Sequence, residues 1–193
     1  KLVNVSVNLF FSGWLLVKRI FQWGKGRRNS DVLVSAPVVN ERVLNEAVSP
    51  PLFLKKPRVL FVADIALPQC KHYRVDQKVK FFQRAGFDVC VKWFYETEAA
   101  WNELPFVNLV IFYRAPWSEQ INDFINACYK NGVPTFFDID DLLFHKEVYA
   151  EHPYLKSTNE ITRHGLIRGG QLVADCMRQC ENMLASTPVI AQY

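Results

Sequence analysis

From residue 58 onward, short apolar runs alternate with stripes of helical period. Residues 58–64 (RVLFVAD) form a short run with β-branched residues and a turn behind it, which predicts a buried strand. Val75, Val79 and Phe82 repeat at i, i+4 and i+7, so a helix follows, and Gly86 closes it. Residues 87–94 (FDVCVKWF) alternate and predict a second strand, and residues 107–113 (VNLVIFY) a third. Ile121, Phe124, Ile125 and Cys128 share one helical face that ends at Asn131-Gly132. Residues 133–137 (VPTFF) predict the fourth strand and residues 183–186 (MLAS) the fifth. Between them a helical pattern runs from about 160 to 182, with Leu166, Val173, Met177, Cys180 and Leu184 as its stripe. Strands alternating with helices predict an α/β fold with a Rossmann-like, doubly wound parallel sheet.

The chain before residue 58 has another texture. Residues 2–17 are uncharged but include Asn4, Ser6, Asn8, Ser12 and Gly13, and they fall short of the roughly 20 apolar residues a membrane span needs. Leu9, Phe10, Trp14, Val17 and Phe21 fall on one stripe, which predicts an amphipathic helix over residues 2–23. Its two settings are a membrane interface or the surface of a folded domain. Residues 31–57 carry Pro37, Pro50, Pro51 and Pro57 and read as a linker or covering arm. The expected division is a basic-aromatic helix over 1–30, the arm over 31–57 and the α/β domain over 58–193.

Charge sharpens this division. Residues 1–30 hold six Lys and Arg and no acid, whereas the remaining 163 residues hold 17 basic and 19 acidic side chains. The globular part is slightly acidic, so no general nucleic-acid surface is expected. Half of the 193 residues are hydrophobic, enough for a real core. Five cysteines at irregular spacing argue against a disulfide scaffold and for a reducing compartment. The sequence starts and stops in mid-pattern, as expected of a piece of a longer protein.

In a doubly wound sheet the ligand sits beyond the carboxyl ends of the strands. Asp138, Asp140 and Asp141 (FDIDDLLF) stand there, three carboxylates within four positions, repelling one another beside a buried strand. Three readings fit them: a turn cap with two solvated neighbours, a hard-oxygen metal site, or hydrogen bonding to a polyhydroxylated or phosphorylated ligand. The first strand leads into Pro68-Gln69-Cys70-Lys71-His72-Tyr73-Arg74, which sets a thiol, a cation, an imidazole and a phenol before a helix and suits an anion or a sugar ring. Arg114 follows the third strand, and Ser186 and Thr187 follow the fifth. Neither a glycine-rich dinucleotide fingerprint nor a Walker loop is present, nor HExxH or G-x-S-x-G. Cys176 and Cys180, one turn apart without further ligands, read as core residues, so no metal site is assigned.

The segments PQCKHYRV, FDIDDLLF and LASTPVIA, in this order at the ends of the first, fourth and fifth strands, resemble the N-terminal half of bacterial GT-B glycosyltransferases, close to family 4. The resemblance covers roughly residues 58–193. It implies one half of a two-domain fold whose Rossmann-like domains face a cleft. The half represented here would take a glycan or lipid-linked acceptor, and the absent half would take the nucleotide-sugar donor. His72, Tyr73, Arg74, Arg114, Ser186 and Thr187 would then bind substrate, and Asp138, Asp140 and Asp141 would stand by the reacting sugar. Many family members carry a histidine where this chain has Asp138 or Asp140. The resemblance further implies no cofactor in this half and no transfer by this half alone, while the basic-aromatic N-terminus adds the expectation of a cytoplasmic protein peripheral to the inner face of the membrane. FDIDDLLF also resembles the first motif of haloacid-dehalogenase-like phosphatases, with Asp138 as nucleophile, Asp140 as acid/base, Mg²⁺, and Ser186 or Thr187 as the second motif. Leu142 stands there in place of that motif's threonine. A third reading is a non-catalytic Rossmann-like binding module.

Overall fold

A strand covered on both faces needs no polar side, and three segments of this chain have almost none. Strand β2 (Arg58–Ala63) is buried from Val59 on, and β4 (Leu109–Tyr113) and β5 (Thr135–Ile139) are buried throughout. In the computed structural model, which describes residues 4–7 and 56–193, these three lie side by side at the centre of one sheet. Strands β3 (Asp88–Trp93), β6 (Asn182–Ala185) and β1 (Asn4–Val7) complete it in the order β1-β6-β5-β4-β2-β3, and every pairing is parallel. Edge strand β3 is only partly buried along its length. Parallel strands need helical crossovers, and continuous apolar runs are the signature of such sheets.

Six helices serve the crossovers between β2 and β6. Helix α1 spans residues 68–84: it starts at Pro68–Cys70, widens into a π-helical turn over Lys71–Asp76 and ends with Gln77–Arg84. Then follow α2 (Thr97–Glu103), α3 (Glu119–Lys130), the short α4 (Lys146–Ala150) and α5 (Pro153–Ser157), and the long α6 (Glu160–Gln179). On one face of the sheet Leu60, Val62, Val110, Phe112, Phe137 and Ile139 pack with α2, α3 and α6. On the other, Val59, Phe61, Leu109, Ile111 and Tyr113 pack with Val75 and Phe82 of α1. Gly86 (φ 87°) and Gly132 (φ 66°) close α1 and α3 in the left-handed conformation that glycine adopts without cost.

The expected α/β fold and its parallel sheet are present, with shifted boundaries. The fourth strand extends two residues beyond Phe137, so Asp138 lies inside it. The expected helix over 2–23 is corrected at its start: Asn4–Val7 is a strand in register with Asn182–Ala185. Alternation of Asn4, Val5, Ser6 and Val7 fits an edge strand as well as a helix, and the partner that decides is far along the chain. The apolar stripe Leu9, Phe10, Trp14, Val17 and Phe21, and the arm over 31–57 up to residue 55, lie outside the described residues. Among the described residues no helix is long and apolar enough to cross a membrane. Cys128, Cys176 and Cys180 are buried and free, as core cysteines should be. Burial pushes the Cys128 thiol up to about 12 and that of Cys180 well above its ordinary value.

Helix α6 is longer than the sheet it crosses. Its 20 residues span about 30 Å, against about 17 Å for the five residues of β5. The Trp117 amide, just past β4, donates to the Leu172 carbonyl of α6 at 2.8 Å. The turns of α6 before Leu172 therefore rise past the carboxyl edge of the sheet and, with α4 and α5 packed on them, form a wall there. The wall is fitted closely at Gly170, where a Cβ would lie 2.2 Å from the Leu143 carbonyl oxygen. Gly165 and Gly169 have open space at the same position. Gly170→Ala is expected to destabilise the chain by about 1–3 kcal/mol, because backbone must move. Gly165→Ala and Gly169→Ala are expected to stabilise it by up to about 1 kcal/mol each through helix propensity. Urea unfolding of the three variants checks the opposite signs.

Candidate functional site

The strands from β2 on wind outward from β2 in both directions, since β3 lies on one side of it and β4, β5 and β6 on the other. The direction reverses between β2 and β4, and a crevice opens there beyond the carboxyl ends. Asp64, the start of α1 and Arg114 flank it, and the Asp64 amide donates to the Tyr113 carbonyl at 2.9 Å.

The deepest charged group is Asp138, 0% exposed within β5. Oδ1 of its carboxylate accepts from Arg74 Nη2, and Oδ2 accepts from Lys78 Nζ at 2.7 Å. Lys78 Nζ also donates to the Arg74 carbonyl at 3.1 Å. Arg74 and Lys78 are four residues apart, so α1 turns both toward the sheet. Arg74 thus pairs across the fold, while the nearby Asp76 pairs with Lys71 at 2.7 Å. Burial lowers the pKa of Lys78, with the Asp138 carboxylate pulling the other way.

Arg114 builds the second half of the cluster. It follows β4 directly and is the one described non-glycine residue in the left-handed region, at φ 48°. That conformation costs about 1–2 kcal/mol. It folds the guanidinium back over the Tyr113 ring, with Cζ 5.8 Å from the centroid. Nη2 of Arg114 pairs with Asp141, and Nε lies 3.2 Å from Asp140 Oδ1, without hydrogen-bond alignment. Nη1 donates to Cys70 Sγ at 3.6 Å. The Tyr113 hydroxyl donates to Asp140 Oδ2 at 3.1 Å, and burial raises its pKa so that it keeps its proton. Ser186 ties β6 in: its hydroxyl donates to the Asp140 carbonyl at 3.3 Å and its amide to the Ile139 carbonyl at 3.1 Å.

Five of the residues singled out from sequence therefore meet: Arg74, Arg114, Asp138, Asp140 and Asp141, with Ser186 at the margin. Thr187 does not join them; its Oγ1 accepts from the Ile190 amide at 3.2 Å, starting a short helical turn. His72 and Tyr73 are exposed on α1, their rings edge to face at 5.0 Å, and Tyr73 is 56% exposed. Two members escaped the sequence reading. Lys78 directly precedes Val79 on the apolar stripe of α1, and a cation so close to a buried stripe is its only signal. Tyr113 reads as a core aromatic, and nothing local shows where its hydroxyl goes.

The chemistry of the cluster follows from its charge balance. Three carboxylates face three cations, so it is neutral as a whole. Both oxygens of Asp138 are spent on cations of the chain itself. Asp140, Asp141 and Arg114 are partly exposed and offer acceptors and donors to the crevice. Among the described residues no group of acidic, histidine or cysteine side chains is arranged to hold a metal ion. The chain matches no known protein family, curated protein or solved structure.

Removing the carboxylate strands two buried cations. Asp138→Asn is expected to cost about 3–5 kcal/mol. Lys78→Met leaves the Arg74–Asp138 pair intact and is expected to cost clearly less. Lys78 also fixes a sign. Because its folded pKa lies below the ordinary 10.5, the unfolded chain binds more protons in the window just under 10.5. This group therefore makes the fold more stable as pH rises through that window, and Lys78→Met removes the rise. Urea unfolding between pH 8 and 10.5 measures both effects.

Proposed function

We propose that this chain is the acceptor-side half of a glycosyltransferase, and that the intact protein moves a sugar from a nucleotide donor to a glycan or lipid-linked acceptor. The observation that carries this reading is the neutralised cluster beside the crevice. A site for phosphate needs surplus positive charge, and a site for Mg²⁺ needs free carboxylates. A balanced array of donors and acceptors suits neutral hydroxyl groups instead. The exposed Tyr73 ring, next to Arg74 on α1, offers an apolar face of the kind a pyranose covers. Within this reading Arg114, Asp140 and Asp141 contact the acceptor, while Asp138 holds Arg74 and Lys78 in place. The nucleotide-sugar donor belongs to a second domain of the longer protein. The phosphatase alternative needs Asp138 as an accessible nucleophile, and complete burial between two cations speaks against that role.

The test is transfer of labelled sugar from a panel of nucleotide sugars to membrane and glycan extracts by the intact protein. Transfer is expected, and Arg114→Met and Asp140→Asn are expected to lower it by at least about tenfold. The 193-residue chain alone is expected to transfer nothing. Absence of transfer by the intact protein with every donor, or Mg²⁺-dependent phosphatase turnover abolished by Asp138→Asn, overturns the reading.

A cytoplasmic location at the membrane face is the second part of the proposal. It rests on the stripe Leu9, Phe10, Trp14, Val17 and Phe21 followed by Lys25, Arg27 and Arg28. Each cation near an anionic surface contributes about 1 kcal/mol. Lys25→Gln/Arg27→Gln/Arg28→Gln is therefore expected to weaken binding of the chain to vesicles containing anionic lipid by on the order of 100-fold. Equal sedimentation of the native and substituted chains at low salt rejects the membrane attachment.

A further inference from the structure

Four helices of the described residues carry a side-chain cap at their amino ends, and the choice of residue divides them. The two long helices have caps that do not titrate. Ser118 Oγ accepts from the Ile121 amide before α3, and Asn159 Oδ1 accepts from the Thr162 amide before α6. The two short helices of the wall are capped by histidine. His145 Nδ1 accepts from the Val148 amide at 3.4 Å, and His152 Nδ1 accepts from the Tyr154 amide at 3.3 Å. Histidine is not among the preferred capping residues. An imidazole caps only through a bare nitrogen, so both rings must be neutral at Nδ1.

His145 has a second partner ready. Its Nδ1 lies 3.4 Å from Glu147 Oε2 as well as 3.4 Å from the Val148 nitrogen. A neutral ring accepts from Val148; a protonated ring donates to Glu147 instead. A positive charge at the start of a helix is also unfavourable to the helix dipole. Tyr193 lies edge to face with His145 at 5.2 Å, and Lys146 is its exposed neighbour on α4. Around His152, Glu151 pairs with Lys156, and Arg163 of α6 acts on Glu151. Imidazole is the side chain whose ordinary charge change falls between pH 5 and 8.

We propose that the segment from His145 to Ser157 is a pH-sensitive section of the crevice wall, whose two short helices lose their caps and loosen when His145 and His152 take up protons in mildly acidic solution. The segment starts four residues after Asp141, and its Tyr149 ring rests on Gly170 of α6 beside the Leu143 carbonyl that precedes it. Loosening it changes access to the carboxyl ends of the central strands, whatever reaction occurs there.

Amide hydrogen exchange of the full chain tests this residue by residue, with intrinsic exchange rates divided out. Between pH 7.5 and 5.5, protection of Val148 and Tyr154 is expected to fall by about fivefold, the value of one lost cap. Ile121 and Thr162 are expected to keep theirs, as controls in the same molecule. In His145→Asn/His152→Asn the new acceptors do not titrate, so Val148 and Tyr154 are expected to hold constant. His152→Asn alone is expected to abolish the response of Tyr154 and leave that of Val148. A native chain whose Val148 and Tyr154 protection is independent of pH overturns the proposal. So does an equal fall in the double variant, or an equal fall at Ile121 and Thr162.

Discussion

A carboxylate inside a parallel sheet is tolerable only where cations reach it, and the pairing of Asp138 with Arg74 and Lys78 is the constraint on which the crevice depends. Asp138 has no exposure and no local partner. Its charge is met by the first turns of a helix that follows a strand two positions away in the sheet. This fixes α1 against the carboxyl ends of the central strands at one rotation and one height. The π-helical turn over Lys71–Asp76 falls in the same stretch, so the widened part of the helix is also the fastened part. An ion pair this deep contributes little net stability over an apolar replacement, but it is costly to break. Its effect is to remove freedom from the residues at the mouth of the crevice.

The second ion-pair group works at a different depth. Arg114 is partly exposed, and the carboxylates it meets belong to the turn after β5. Two carboxylates and a thiol hold its guanidinium, which offsets the cost of its left-handed backbone. Loss of either carboxylate leaves that backbone with less reason to stay. The crevice therefore has a rigid floor, set by Asp138, and a polar rim whose groups are paired yet reachable by hydroxyl groups. Floor and rim together balance three cations against three carboxylates, so the crevice discriminates by geometry more than by charge.

What the sequence discloses and what it conceals divide along one line, the range of the interaction. Strands β2, β4 and β5 are legible because burial on both faces leaves continuous apolar runs. The ends of α1 and α3 are legible because Gly86 and Gly132 are local signals. Asp138 ends the fourth strand in any one-dimensional reading, since aspartate is depleted in strands, yet the strand continues to Ile139 because Arg74 and Lys78 are there. The partner of Arg74 is hidden for the same reason: Asp76 is close in sequence and Asp138 is close in space. Asn4–Val7 is the clearest case, since four residues of mixed polarity become a strand only through a neighbour at the other end of the domain. The candidate site was thus legible as a set of residues and a place in the fold, but not as a set of pairs.

The two sides of the crevice differ in kind. Its floor is made of strands whose residues are fully buried and whose backbone groups are spent on both neighbours, so opening it requires global unfolding. Its wall is made of helices of five residues, too short to hold themselves, resting on the projecting turns of α6. Such segments take their order from caps and from a few contacts, here Gly170 against Leu143 and Tyr149. A small change in one hydrogen bond is a large fraction of what holds them. The same change in the sheet is negligible. Any motion that admits a ligand or responds to solution conditions therefore belongs to the wall, and the position of the polar groups it exposes belongs to the floor.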